Sequence, residues 1–360
     1  MSFTTFDIFQ REKWLEFLDK IDHKDIYFTP EYCHLYEKNG EGKAQLIVYE
    51  EDNLLIYYPF LLREINKIPN EYEIEAKYGK TYDMITPYGY GGPISNIKDH
   101  QIKNNIYRNF NKLLNEYCKE NNIITEFIRY HPMIRNEIDN KDYESEYIRN
   151  TIYVDLTRDK KEIWAKYDTK NRNRIRKSIQ YGLKVVQSSI NDLENFIYLY
   201  NKTMAKKQAN EYYYFGSTFF ENMVDLLGDQ IKLFEVTYED KVILSCFFMC
   251  YGENIHYHLL GSEENYLKYS PNNLLINFVV DWAKSKGFKT LHLGGGYSGE
   301  DSLYKFKKHF NKDGDLPFYT CKKIHNNIIY QEIIKDIDIL DKDFFPIYRH
   351  PSLISKLKNV

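Results

Sequence analysis

Leu293-Gly-Gly-Gly-Tyr-Ser-Gly-Glu-Asp-Ser-Leu-Tyr-Lys-Phe-Lys-Lys-His-Phe310 runs from a short apolar segment, Thr290 to Leu293, through three consecutive glycines. The pattern predicts a strand, a bare loop, and a helix beginning near Glu300 or Asp301 that carries Lys305, Lys307, Lys308 and His309. Glycine lets a backbone approach a ligand closely, and acidic residues suit a helix's first turn. A strand end that opens through a loop onto a helix is where α/β folds place ligands. The same residues also suit a flexible turn followed by a solvated helix face.

Outward from that stretch, 360 residues exceed what one core usually serves, and 43% apolar content supports packed cores. The net charge of −3 gives the whole chain no electrostatic pull on nucleic acid. The 34 tyrosines carry little weight alone. Met1 to Trp14 lacks the apolar centre of a signal peptide, and the longest apolar run, Val242 to Tyr251, is too short to span a bilayer. The five cysteines are scattered, so the expectation is a reduced, cytoplasmic, soluble protein.

The order of elements repeats. In the first half, helical patterning at Glu12 to Ile21 precedes strands at Ala44 to Glu50 and Leu54 to Leu62, joined at Glu51-Asp52-Asn53. A loop from Ile85 to Ile94, a helix from Ile102 to Lys119 and a strand from Ile123 to Tyr130 follow, and polar residues 136–150 read as a boundary. In the second half, strands at Ile231 to Tyr238 and Val242 to Tyr251 flank Glu239-Asp240, and Ile255 to Gly261 forms another. A helix from Asn272 to Lys286 ends at Gly287, before Thr290 to Leu293. One helix is expected over Lys160 to Tyr181, then two more up to Leu227. The expected division is a first domain over 1–150, a second over 151–330, and a helical tail over 331–360, patterned by Ile333, Ile337 and Leu340. Mixed elements in this order indicate an α/β or α+β fold with helices packed on sheets.

Lys170-Asn-Arg-Asn-Arg-Ile-Arg-Lys177 is a dense basic block. On a helix, Lys170, Arg174 and Lys177 share one face and Arg172 and Arg176 another, while Ile163, Tyr167, Ile175 and Ile179 form an apolar stripe. Such a helix faces solvent or meets a phosphate or an RNA backbone. His256 and His258 share one strand face and suit a cleft lining; no further ligands stand at a spacing that would make a metal site. Nucleophile-elbow, Walker and zinc-helix motifs are missing, as is the acyl-CoA pyrophosphate loop of ordinary acetyltransferases.

Taken in order, several segments resemble the FemAB family, peptidyltransferase-like enzymes built from two domains of the GNAT acetyltransferase fold. They are Thr86-Pro-Tyr-Gly-Tyr-Gly-Gly-Pro93; Trp164 with Lys170 to Gly182; Tyr212 to Phe215 ahead of Phe219-Phe220; and Ile255 to Gly261, Pro271 to Gly287 and Leu293 to Phe310. The resemblance implies two GNAT-like domains, each a mixed, largely antiparallel sheet flanked by helices. It implies transfer of an acyl or aminoacyl group, from acyl-CoA or aminoacyl-tRNA, to an amine on a cell-wall or surface-polysaccharide precursor, with no bound cofactor. It assigns Lys307 to stabilising the developing charge or to binding a donor phosphate, with Phe306 packed beside it, and Asp301 to deprotonation of the amine. Arg172 and Arg176 would hold phosphate. Tyr88, Gly91, Tyr213, His256 and His258 would line the cleft. The long helical arm of classical members is missing, which leaves the donor open; a catalytically inactive module binding nucleotide-sugar or RNA is the alternative from another class.

Overall fold

The computed structural model describes residues 1–206, 214–339, 341 and 343–353. It forms two compact units, one of residues 1–148 with the chain from 318 onward, the other of residues 149–317. The sequence keeps 318–330 with the second domain, whereas the chain has already returned to the first by then.

The first unit contains β1 (Ser2–Asp7), α1 (Arg11–Asp19), α2 (Pro30–Lys38), β2 (Lys43–Glu51), β3 (Leu54–Glu64), α3 (Glu71–Tyr78), β4 (Tyr82–Ile85), β5 (Ile94–Ser95), α4 (His100–Glu120) and β6 (Ile123–Arg129). β7 (Ser145–Asp155) leads into the second unit. There follow α5 (Lys160–Lys166), α6 (Thr169–Gln180), β8 (Lys184–Ser188), α7 (Glu194–Lys206), α8 (Ser217–Leu227), β9 (Ile231–Tyr238), β10 (Lys241–Tyr251), β11 (Asn254–Ser262), α9 (Pro271–Ser285), β12 (Thr290–Gly295) and α10 (Ser302–Lys308). β13 (Asp315–Ile324) and α11 (Asn327–Ile334) return to the first.

The strands of both units obey one pairing rule. In the first, β1, β2, β3 and β4 pair antiparallel in turn, β4 pairs parallel with β6 across the crossover helix α4, and β6 pairs antiparallel with β13. In the second, β8, β9, β10 and β11 pair antiparallel, β11 pairs parallel with β12 across α9, and β12 pairs antiparallel with β7. The turns repeat as well. Asp52-Asn53 and Glu239-Asp240 all have positive φ, the mirror-image two-residue turn that matches strand twist. The repeated element order read from the sequence is therefore a repeated topology.

Local chemistry accounts for the crossover helices. α4 is capped by Asp99, which accepts the N–H groups of Gln101 (2.8 Å) and Ile102 (2.9 Å), and buries Ile106, Tyr107, Phe110, Leu114 and Cys118 against its sheet. α9 starts at Pro271, where the missing N–H has no helical partner to lose, and buries Leu274, Leu275, Val279 and Ala283. β10 is buried on both faces, so it reads as a continuous apolar run. All five cysteines are buried and free. Among the described residues, no helix is long and apolar enough to cross a membrane.

Several expectations change. The helix expected over 160–181 is broken at Tyr167, whose backbone is extended, and restarts where Asp168 accepts the Lys170 N–H at 2.7 Å. Ile179, assigned to the apolar stripe, is exposed; Asn171, Ile175 and Ser178 face inward instead. The division between the units falls inside residues 136–150, between Ile148 and Arg149, and the stretch is itself packed. Asn136 is fully buried, donating to the carbonyls of Gly91 (2.9 Å) and Pro93 (3.1 Å), and β7 begins at Ser145. β8 was not expected. In the tail, Ile329, Tyr330 and Ile333 pack with Ile65, Ile74 and Ile124, while Leu340 lies outside the described residues.

Asp83 fastens that tail. Its buried carboxylate pairs with Arg63 at 2.6 Å and with Arg349 at 2.8 Å. Removing one partner of a buried ion pair leaves the other charges uncompensated, so Asp83→Ala is expected to lower unfolding stability by about 3–5 kcal/mol in urea denaturation. A loss below about 1 kcal/mol, the size of an exposed pair, would show that the clamp contributes little.

Candidate active site

The parallel pair in the second unit does not run the length of its strands. β11 and β12 pair at Asn254 with Thr290, Ile255 with Leu291 and His256 with His292, and the pairing stops there. Each strand has an extra residue just beyond. On β11, His258 and Leu259 together face Phe247 of β10; on β12, Leu293 is the extra residue against β7. A bulge bends and twists its strand. Two bulges at the same level part the strands into a fork that opens at their carboxyl ends, the usual ligand position in such sheets.

Two buried imidazoles sit at the root of the fork. His256 Nδ1 lies 3.4 Å from His292 Nδ1, and His292 Nε2 lies 3.0 Å from Thr151 Oγ1. Two facing Nδ1 atoms can hydrogen-bond only if one carries the proton and the other accepts it. Burial, with His256 adding to it, pushes His258 down to about 3, so His258 is a neutral group at working pH.

Lys307 reaches the same fork from α10. It is 7% exposed; its Nζ donates to the Gly295 carbonyl at 2.6 Å and lies 5.8 Å from the centre of the Tyr257 ring. Gly295 ends β12 and Tyr257 follows the last paired residue of β11, so the Lys307 head group bridges the two parted strands. The Tyr257 hydroxyl is held by the Asn272 amide at 3.1 Å, at the start of α9. Phe306 packs edge-on to Phe310, 5.6 Å between centres, and anchors α10 to the core.

The glycine run now has separate reasons. Gly294 has φ +71°, and a Cβ on Gly296 would run into the Asp301 carboxylate. That carboxylate accepts the N–H groups of Tyr297 (2.6 Å), Ser298 (3.2 Å) and Tyr304 (2.8 Å). Burial pulls Asp301 up, but these amide donors outweigh it and hold the carboxyl below the ordinary aspartate value. Asp301 is thus a loop clamp and helix cap, with both carboxylate oxygens already engaged where a base was expected.

Arg172, expected to hold phosphate, also has partners within the chain. Its guanidinium donates to the carbonyls of Tyr167 (2.6 Å), Ala165 (3.3 Å) and Trp164 (3.4 Å), closing the end of α5. Arg176 stacks over Trp164 at 5.6 Å and donates to Asn173. Lys170, Arg174 and Lys177 form the exposed row. Tyr88 and Gly91 belong to the first unit, where the Tyr88 carbonyl accepts from the Tyr32 hydroxyl (2.8 Å) and the Gly91 N–H donates to the Arg129 carbonyl (2.7 Å). Tyr213 lies outside the described residues. Sequence reading missed Thr151, Tyr257, Asn272 and His292. Only His292 left a signal, an imidazole two residues ahead of the glycines.

Comparison with known proteins bears on the fold. Residues 166–308 match the family model of the acetyltransferase (GNAT) domain. No curated protein sequence matches the chain. Among solved structures, FemX covers 92% of this chain and all of its own at a TM-score of 0.66 and 15% identity. The L-PGS structure from Bacillus licheniformis gives a TM-score of 0.52 at 13% identity, covering 90% of this chain and 96% of its own. The C-terminal domain of a putative lysylphosphatidylglycerol synthetase from Agrobacterium fabrum gives 0.52 at 11%, covering 88% and 92%. The chain thus has the mixed α/β fold of FemX, as the FemAB resemblance implied, and the GNAT domain match falls within its second unit.

If Asp301 is a cap, Asp301→Ala is expected to cost about 1 kcal/mol in chemical denaturation and Asp301→Ser to recover most of it. The folded-state carboxyl titrates below its unfolded value, so the difference between wild type and Asp301→Ala is full above about pH 4 and shrinks as pH falls further. A difference independent of pH down to about pH 2 would refute the charged cap.

Proposed function

We propose that the second unit is an N-acyltransferase centre working at the fork between β11 and β12. It transfers an acyl group from a thioester or ester donor to an amine of a cell-wall or surface-glycan precursor. The carrying observation is the Lys307 head group, buried and fixed at the mouth of two parted parallel strands. Support comes from the GNAT domain match and from a fold shared with lysylphosphatidylglycerol synthetases, a likeness that favours a lipid-linked acceptor.

Acyl transfer to an amine needs alignment and a donor where the oxyanion forms. The amine nitrogen forms the new C–N bond as the carbonyl oxygen takes up negative charge beside Lys307. Collapse breaks the bond to the leaving thiolate or alkoxide. The proton lost by the amine passes through the His256–His292 pair and ends on that leaving group. Beyond His256, β11 makes no pairing with β12, and an unpaired strand edge suits an extended chain bearing amides. That favours acyl-CoA, whose arm contains two amides. The exposed row Lys170, Arg174 and Lys177 favours the second reading, aminoacyl-tRNA as donor.

Lys307→Met keeps the length of the side chain and removes its charge. It is expected to lower kcat for transfer by about 100-fold or more, with KM and the unfolding midpoint little changed. Transfer at wild-type rate in that variant would sink the assignment. Supplying acetyl-CoA or aminoacyl-tRNA, with and without RNase, identifies the donor.

A further inference from the structure

A second cleft lies in the same unit, between α5 and the middle of α9. It encloses about 320 Å³. This is near the lower limit of small-molecule sites and gives room for one hexose-sized ring. Trp164 and Tyr167 form one wall, their rings 5.4 Å apart, and Asn277 projects from α9. At the mouth, Lys160 pairs with Asp281 at 2.7 Å and Lys161 stands beside it.

Several polar groups of this cleft lack partners among the described residues. Tyr167 is 1% exposed, and its hydroxyl has no hydrogen-bond partner among the described residues. A buried hydroxyl without a partner costs about 1–3 kcal/mol, so evolution tolerates it where a ligand or water completes it. No ion pair or hydrogen bond within the described residues engages Lys161 or the Asn277 side chain either. The fork chemistry uses none of them. The wall is held firmly: Tyr167 meets Phe310 edge-on at 5.3 Å, and Arg172 closes α5 directly beneath it.

We infer that this cleft binds a single acidic sugar ring, one bearing a carboxylate or a phosphate, at a site separate from the acyl-transfer fork. An indole face accepts the C–H face of a pyranose, as aromatic rings accept other apolar surfaces. The remaining wall mixes pure donors (Lys160, Lys161), a pure acceptor (Asp281) and groups that do both (Tyr167, Asn277). Hydroxyls of a polyol donate and accept at once and can satisfy all three kinds. Two ammonium groups against one carboxylate leave a net positive charge at the mouth, which selects an anionic substituent.

Isothermal titration calorimetry of the full chain with glucose 6-phosphate, glucuronate, glucose and inorganic phosphate tests this. The expected result is saturable binding of both acidic sugars, weaker binding of glucose, and none of inorganic phosphate. Tyr167→Phe should weaken the acidic sugars about three- to tenfold. Without ligand its unfolding midpoint should equal or exceed that of the wild type, because the unpaired hydroxyl is gone, and acyl transfer from the fork should persist. Lys161→Ala should weaken only the acidic sugars, about two- to fivefold. No saturable sugar binding, binding of phosphate equal to that of the sugars, or sugar binding unchanged in Tyr167→Phe would each overturn the site. Loss of transfer in Lys307→Met tests the fork alone, so the two readings fail separately.

Discussion

Two parallel strands that part after three paired residues govern the second unit. Parallel pairing through the crossover helix α9 brings β11 and β12 side by side, and one extra residue in each drives them apart beyond His256 and His292. The sheet survives because β11 stays paired with β10 and β12 with β7. The opening therefore needs no cavity in the core. It exposes strand edges and a pair of imidazoles at one point, and Lys307 closes it from α10.

The loop between β12 and α10 serves that geometry. A helix of seven residues has little stability of its own, so its position depends on its cap and its packing. Asp301 supplies the cap and also ties down the amides of Tyr297 and Ser298; Gly296 has no side chain because the carboxylate occupies that space. Phe306 and Phe310 supply the packing. Lys307 is thereby presented at a fixed height over the fork. The same core contact, through Phe310, reaches Tyr167 and the cleft behind α5.

Much of the architecture was legible because its signals are local. Alternating and continuous apolar runs marked β2, β3, β9, β10 and β11, and Asp-Asn and Glu-Asp turns marked the hairpins. The helix ends at Gly287 and Asp301 followed from capping chemistry. Where the reading failed, a distant group had decided the matter. The break at Tyr167 depends on Arg172 reaching back to three carbonyls, and the burial of Asn136 depends on the carbonyls of Gly91 and Pro93. The clamp that Asp301 places on the preceding loop was hidden for a similar reason, since its partners there are backbone amides that carry no residue identity.

The sequence by itself determined that the chain repeats one order of strands and helices, that a glycine run precedes a lysine-bearing helix, and that Lys307 is the residue to watch. Those are properties of periodicity, turn chemistry and composition, and each is written in neighbouring positions. Tertiary structure alone decided which residues meet at the fork. Thr151, His256, Tyr257, Asn272, His292 and Lys307 come from five separate elements, and strand register and bulges bring them together. Register depends on pairing between strands far apart in the chain, so no local pattern encodes it.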